Sequence, residues 1–311
     1  MSSAAMGGWF GRAWHSDVGY SFRTSPVAVA AAIVAFVCLF CAVFANLVAP
    51  HNPFNLASLE LMDAFLPPAW LPEGRSRYLL GTDDQGRDIL SAVMFGARIS
   101  LFVGIAAVML SVAMGVSLGL LAGFAGGRID TVIMRVCDVM LSFPPILVAL
   151  LIMGVSRALF PNAQDILVFG VLVLSITLTG GSGWVQYART VRGSVMVERN
   201  KEYVQAARVT GVRPHRIVVK HVLPNILGPV MVLATIQVAT AIITEATLSF
   251  LGVGVPPNSP SLGTLIQVGN KFLFSGNWWI TVFPGLMLVA IALSINLLGD
   301  WLRDAMNPRL R

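Results

Sequence analysis

Charge is what this sequence has least of: charged residues make up 12% of the 311, against 56% hydrophobic. A water-soluble domain carries about 25% charged residues. Most of this exterior must therefore face lipid, and the sequence reads as an integral membrane protein. Cysteine is scarce as well. Three cysteines are too few for a disulfide framework, and Cys38 and Cys41 lie inside an apolar run, where small helix-packing residues are expected. Only Lys201, Lys220 and Lys271 among the 21 basic residues are lysines, and none follows a glycine. The phosphate-cradling GxxxxGK[ST] loop is thus missing, which excludes a P-loop ATPase. No HExxH occurs, and His15, His51, His215 and His221 are scattered, none inside an apolar span. That removes a zinc site of this type and the nucleophile–base pair of an intramembrane hydrolase. No residue is assigned to catalysis, a metal or a cofactor, and no nucleic-acid partner is expected.

What the sequence does have is long apolar runs. A hydrocarbon core of roughly 30 Å takes about 20 helical residues. Six runs of about that length appear: residues 26–49, about 99–124, about 139–155, about 166–181, about 226–251 and about 279–298. The third and fourth are short and interrupted by Pro144, Pro145, Gly180 and Gly181. The predicted fold class is therefore an all-α polytopic membrane protein of six transmembrane helices.

Basic residues set the orientation, because basic loops resist translocation. With the N-terminus in the cytoplasm, 15 basic residues fall inside; Arg75, Arg77, Arg87, Arg98, Arg157 and Lys271 fall outside. Both termini read as cytoplasmic. The first 25 residues lack a cleavable signal, and the first run is long enough to remain as an anchor. This yields a cytoplasmic segment 1–25, a first helix 26–49, an extracytoplasmic cap 50–98, a five-helix domain 99–300 and a cytoplasmic tail 301–311. The cap is rich in proline early on, which predicts irregular, turn-rich structure.

The cytoplasmic stretch 184–225 carries eight basic residues and two acids between Arg189 and Lys220. Within it, Glu202, Tyr203, Gln205, Ala206, Ala207 and Arg208 belong to a run of helix-forming composition that stops at Gly211. Arg213 and Pro214 follow, then an apolar-basic helix through Leu223 and Pro224. Two helices meeting at a Gly-x-x-Pro corner would offer a partner protein small Ala206 and Ala207, with Arg208, Arg213 and Arg216 facing its acidic rim. The same charges also suit a loop resting on anionic lipid.

The spacing Ala206-Ala207, three residues, Gly211, nine residues, His221-Val222-Leu223-Pro224 resembles the EAA loop of ABC importer permeases, with Gln205 for the leading glutamate and His221 for an isoleucine. Leu80-Gly81-Thr82-Asp83-Asp84-Gln85-Gly86-Arg87-Asp88-Ile89-Leu90-Ser91, followed by Gly96, Arg98 and Ser100, resembles the GTDxxGRDxxSRxxxGxRxS signature of the second permease in dipeptide, oligopeptide and nickel importers. Ala92 stands where that pattern has arginine. An EF-hand does not fit these acids, because the twelfth position from Asp83 is Met94. On physical grounds Gly81, Thr82, Asp83, Gly86, Arg87, Asp88, Ser91 and Arg98 read as a tight, self-paired turn at the mouth of the second span. Residues 245–254 with Pro256 and Pro257, and residues 298–304 with Pro308, are similar to the same family's fifth-helix and C-terminal segments.

The resemblance implies a type I ABC transmembrane domain in a bacterial inner membrane, with residues 202–211 as its coupling helix. It also implies a homologous second permease, two P-loop ATPases that hold ATP and magnesium, and an extracytoplasmic binding protein. Short peptides are the implied cargo; nickel chelates, glutathione or opines would use the same architecture. A secondary transporter would need a coupling-ion relay or inverted repeats, and the sequence offers neither.

Two patterns inside the spans remain. Gln237, Thr240, Thr244 and Thr247 share one helical face, with Glu245 on its flank. They are candidates for lining a pathway, against threonines bonding their own preceding turn and a glutamate bonded to a neighbouring helix. Ser111, Gly115, Gly119 and Gly123 recur every fourth residue, a ridge for close helix packing within the chain or against a second permease.

Overall fold

The structure is a computed structural model that describes residues 17–53, 61–161, 164–179, 183–255 and 259–306. His15, Gly180, Gly181, Pro256, Pro257 and Pro308 lie outside the described residues.

Among the described residues the regular structure is helical. In chain order it comprises α1 (Asp17–Thr24), α2 (Pro26–Val43), α3 (Ile89–Ala125), α4 (Gly127–Ser142), α5 (Pro145–Leu159), α6 (Asp165–Leu178), α7 (Trp184–Glu198), α8 (Glu202–Val209), α9 (Pro214–Phe250), α10 (Leu262–Asn270) and α11 (Trp279–Ala305), with short turns between. The first turn of α2 has Ser25 as its cap, accepting from the amide of Ala28, and Pro26 at its first position. α9 runs from Pro214 through a π-helical turn at Val218–Val222. Pro224 has no amide to donate back into that turn, which accounts for the local widening.

Helices α2, α3, α9 and α11 are each long and apolar enough to cross a membrane. Large side chains such as Phe36, Leu47, Met109 and Leu151 stand exposed along the bundle. In water such a belt would be costly; against lipid it is the expected exterior.

Several expected boundaries move. The third run does not form one helix: α4 and α5 meet at a 91° bend where Phe143 and Pro144 intervene, so the pair gives at most one broken crossing. The fourth is carried by α6, whose 14 residues span only about 21 Å. The second begins at Ile89, ten residues earlier than its apolar start, because Asp88 caps it. The sixth continues to Ala305.

The largest departure concerns residues 184–198, expected as part of a cytoplasmic loop. They form α7, which packs along the C-terminal half of α3 and buries Trp184, Tyr187, Ala188, Val191 and Val195. The small-residue ridge explains how. A Cβ on Gly115 would lie 2.4 Å from the Trp184 carbonyl oxygen, one on Gly119 2.6 Å from that of Ala188, and one on Gly123 2.8 Å from Val195 Cβ. Ser111 is buried further along the same row. The ridge thus packs within the chain. Two of the basic residues assigned to the loop are ion-paired to α4: Arg189 with Asp138 and Arg192 with Asp130.

Candidate functional site

The surface helix α8 begins after Lys201, whose ammonium lies 2.8 Å from Glu198 Oε2. Val204 points inward and joins Ile217, Val222, Ile226 and Val230 of α9 and Tyr187, Val191 and Val195 of α7 in one apolar cluster. Ala207 packs at its edge. Glu202, Gln205, Ala206 and Arg208 face out, and Val209 is 89% exposed. The helix ends where Gly211 adopts φ +76°, a conformation that favours glycine, and the Val212 amide donates to the Ala207 carbonyl. The chain turns at Arg213, and Pro214 opens α9. Arg208 lies over the Phe124 ring, 5.5 Å from its centroid, while Arg213, Arg216 and Lys220 are exposed.

Beneath α8 lies a polar joint that the sequence did not reveal. The Tyr203 hydroxyl donates to Glu198 Oε1 at 2.5 Å and accepts from Asn225 Nδ2 at 3.0 Å; the same amide donates to the His221 carbonyl at 2.8 Å. It joins the end of α7, the start of α8 and the base of α9. Burial pushes the Glu198 carboxyl up, but the hydrogen bonds from Lys201 and Tyr203 outweigh it and hold the group below its ordinary range. Leu223 and Pro224 sit in the first turn of the regular part of α9. The Gln205 amide reaches the Arg199 carbonyl at 3.4 Å, so it bonds within its own surface loop.

On the opposite face, the glycine- and aspartate-rich turn is self-paired. Asp83 Oδ1 accepts from the amides of Gln85 and Arg87, each at 2.9 Å, and its Oδ2 accepts from Arg87 Nε at 2.6 Å. Gly81 and Gly86 take φ +83° and +76°. The Thr82 hydroxyl donates to the Asp63 carbonyl and accepts from the Leu66 amide, while its carbonyl accepts from Trp279 Nε1 of α11. Asp88 accepts from the Ser91 amide and hydroxyl, and Ser91 in turn accepts from the His51 amide. Arg98 donates to the carbonyls of Ala42 and Val43 and to Asn46, satisfying the orphan end of α2. Burial, and then the neighbouring Asp83 charge, raise the Asp84 carboxyl above its ordinary value.

The candidate pathway residues differ in burial: Gln237 and Glu245 are buried, whereas Thr240, Thr244 and Thr247 are half-buried. Gln237 is buried, its amide donating to Gln186 Oε1 of α7 at 2.5 Å. Thr240, Thr244 and Thr247 bond the carbonyls of Ile236, Thr240 and Ile243, four residues back in α9. Glu245 is wholly buried, which takes it off any exposed lining in this conformation. Its Oε1 accepts from the Ser249 hydroxyl at 2.7 Å, and the hydroxyls of Ser100 and Ser261 lie beside the carboxyl. Helical arithmetic on α9 alone had no access to Ser100 on α3 or to the cap residue of α10.

Above it opens a cavity of about 590 Å³, bounded by the ends of α5 and α6, the loop after α9, α10 and the Asp83–Arg87 turn. Its lining includes Arg157 and Asp165, neither singled out from sequence. Arg157 donates to the carbonyls of Gly252 at 2.9 Å and Gly254 at 3.3 Å, tying α5 to the loop after α9. A lone arginine at the end of an apolar helix was the available signal.

Three comparisons bear on this architecture. The family model described as binding-protein-dependent transport system inner membrane component matches residues 115–311. The dipeptide transport system permease protein DppC of Haemophilus influenzae is 37% identical over 292 residues, 94% of each chain. The Escherichia coli K12 protein of the same name is 41% identical, over 96% of this chain and 92% of that one; the di/tripeptide transport system permease protein DppC of Pseudomonas aeruginosa is 38% identical, over 94% and 91%. In three dimensions the chain is similar to one from an inward-facing structure of the MetNI methionine ABC transporter. The TM-score is 0.54 at 20% identity, over 70% of this chain and 97% of that one, a likeness of fold. The chain belongs to the family of binding-protein-dependent transport system inner membrane components, a family of multi-pass bacterial permeases.

Proposed function

We propose that this chain is one of two membrane-spanning subunits of an ATP-driven importer of short peptides, and that α8 is the helix through which partner ATPases move it. The observation that carries this reading is the construction of α8. Ala206 lies open to a partner on its outer side, while Val204 and the Tyr203 joint fasten its inner side to the base of α9. A helix that merely rested on lipid would need no such fastening. The relatives' printed names support peptide cargo. On this reading ATP and magnesium are held by the two ATPases, an extracytoplasmic protein delivers the peptide, and a homologous permease completes the pathway. Residues 99–300 form the working domain, with 1–25 and 301–311 on the cytoplasmic side. The rotation of spans that opens one side and closes the other is then a population shift driven by closure of the ATPases.

Two experiments test it. Mild-detergent purification of the tagged chain from its host should retain a second hydrophobic permease and P-loop ATPases, identified by mass spectrometry. Recovery of the chain alone, with a known importer intact in parallel, would overturn the assembly. Ala206→Asp, on the exposed face, should leave membrane levels normal and abolish uptake while the ATPases still hydrolyse ATP. Normal uptake by that variant would reject the coupling role. Ala206 is better placed for this than Ala207, which packs against the apolar cluster, or Gly211, whose positive φ excludes proline.

A further inference from the structure

The extracytoplasmic cavity is built from groups of both signs. Arg87 is neutralised by Asp83. Among the described residues Arg157 and Asp165 enter no ion pair, and both are exposed side chains lining the cavity, Asp165 at the first position of α6. Arg157 is also held in place: two of its five donors are used on the carbonyls of Gly252 and Gly254, which fixes the guanidinium, and among the described residues the other three bond no protein group. The floor is apolar, formed by Met153, Val255 and Leu265, and Gln85 and Gln267 add amides that match a peptide bond. At about 590 Å³ the space lies within the usual range of small-molecule sites, about 300–1,000 Å³. An anion alone would leave Asp165 repelling it, and a cation would meet Arg157. A molecule with one charge of each sign and an amide between them satisfies all of these groups.

We propose that this cavity is a receiving site for a short peptide with free termini, Arg157 taking the carboxylate and Asp165 the ammonium group. The proposal rests on the peptide-importer reading and adds to it: the permease itself, and not only the delivering protein, recognises both termini. Ser249 lines the cavity and also donates to Glu245, so an occupant would lie one hydrogen bond away from the buried carboxyl between α3, α9 and α10.

The test uses the complete importer in lipid nanodiscs without its binding protein and measures equilibrium binding of radiolabelled alanyl-phenylalanine, its N-acetyl form and its C-terminal amide. Wild type should bind the free dipeptide saturably. Asp165→Asn should weaken the free dipeptide about tenfold and leave the N-acetyl form unchanged; Arg157→Gln should weaken the free dipeptide about tenfold and leave the amide unchanged. This matched selectivity is a readout that a merely structural role would not move. No saturable binding to wild type, or equal weakening of all three ligands by both variants, overturns the proposal. So does unchanged dipeptide binding accompanied by weakened docking of the binding protein, which would make the cavity a protein contact. Uptake of the same dipeptide by cells carrying the intact importer separates the two readings. If wild type imports no peptide, the cargo reading fails; if it imports peptide but the nanodisc complex does not bind it, only the receiving site fails.

Discussion

Replacing the glycines of α3 by alanine tests whether the small-residue ridge is internal packing. In Gly115→Ala the new methyl would sit 2.4 Å from the Trp184 carbonyl oxygen and 2.5 Å from Tyr187 Cβ, whereas ordinary contact begins near 3.4 Å. Both neighbours belong to α7, which must retreat by about 1 Å or tilt. Overpacking of this kind costs about 1–3 kcal/mol. Alanine returns up to about 1 kcal/mol through its better helix propensity. With the full return the net loss is up to about 2 kcal/mol, a few degrees of melting temperature. Gly119→Ala, facing Ala188 and Val191, should behave alike. The double variant should fall short of the sum, because the first methyl already parts the helices. Gly154→Ala in α5 and Gly170→Ala in α6 are the matched controls: a Cβ there meets nothing within 4 Å, so both should be neutral or stabilising. The assay is thermal unfolding of the purified chain in mild detergent, followed by tryptophan fluorescence. If all the ridge variants melt with the controls, α7 does not lie on α3 as described. If the isolated chain is unaffected but the assembled importer falls apart, the ridge serves a second permease.

Three further outcomes follow from the same structure. Asp88→Ala removes the side chain that caps α3 and should destabilise the chain by about 1 kcal/mol, read by the same melting assay. Tyr203→Phe removes a hydroxyl bonded to Glu198 and Asn225, and should lower uptake per ATP hydrolysed in reconstituted importer while leaving expression unchanged; unaltered coupling would show that the joint carries no motion. The Glu198 carboxyl, held below its ordinary value of 4.5, contributes stability that is complete above that value and lost as pH falls through its depressed folded value. The melting advantage of wild type over Glu198→Gln should therefore shrink on acidification below about pH 4.5, and an advantage that grows instead would contradict the hydrogen bonding described.

Much of this fold was legible because lipid simplifies the rules: long apolar runs become helices, and a Gly-x-x-Pro corner stops one helix and starts the next. Gly211 and Pro214 do this between α8 and α9. The self-paired turn was legible too, since Asp83 and Arg87 are close in sequence. Helix α7 was obscured by charge counting. Its apolar residues Trp184, Tyr187 or Ala188, Val191 and Val195 keep a helical period, but Arg189 and Arg192 dominate the tally, and their partners on α4 lie 51 and 62 positions away. The start of α3 was missed because apolarity was used as the boundary, whereas Asp88 and Ser91 form the cap that begins it. Prolines 144 and 145 marked a break without indicating a 91° turn. Glu245 was the least legible, because two of the hydroxyls around it come from α3 and from the start of α10.

These pieces converge on α9. At 37 residues it is about 55 Å long, more than the thickness of the whole hydrocarbon core. Its base is joined to α8 by an apolar cluster and by Asn225; its far end is joined to α3 and α10 around Glu245, and there Ser249 lines the cavity. A Cβ on Gly263 of α10 would lie 2.3 Å from the Ala246 carbonyl, so this upper contact has no slack. Tight contact at both ends means that a displacement of the base cannot be absorbed at the top by loose packing, because well-packed interfaces shift between discrete arrangements rather than deform continuously. The weak points must then lie along the helix, at the π-turn of Val218–Val222 and at Pro229, where the ladder of backbone bonds is already interrupted. Both lie in its inner half, which leaves the outer half of α9, beyond Pro229, as one stiff lever between the surface helix and the cavity.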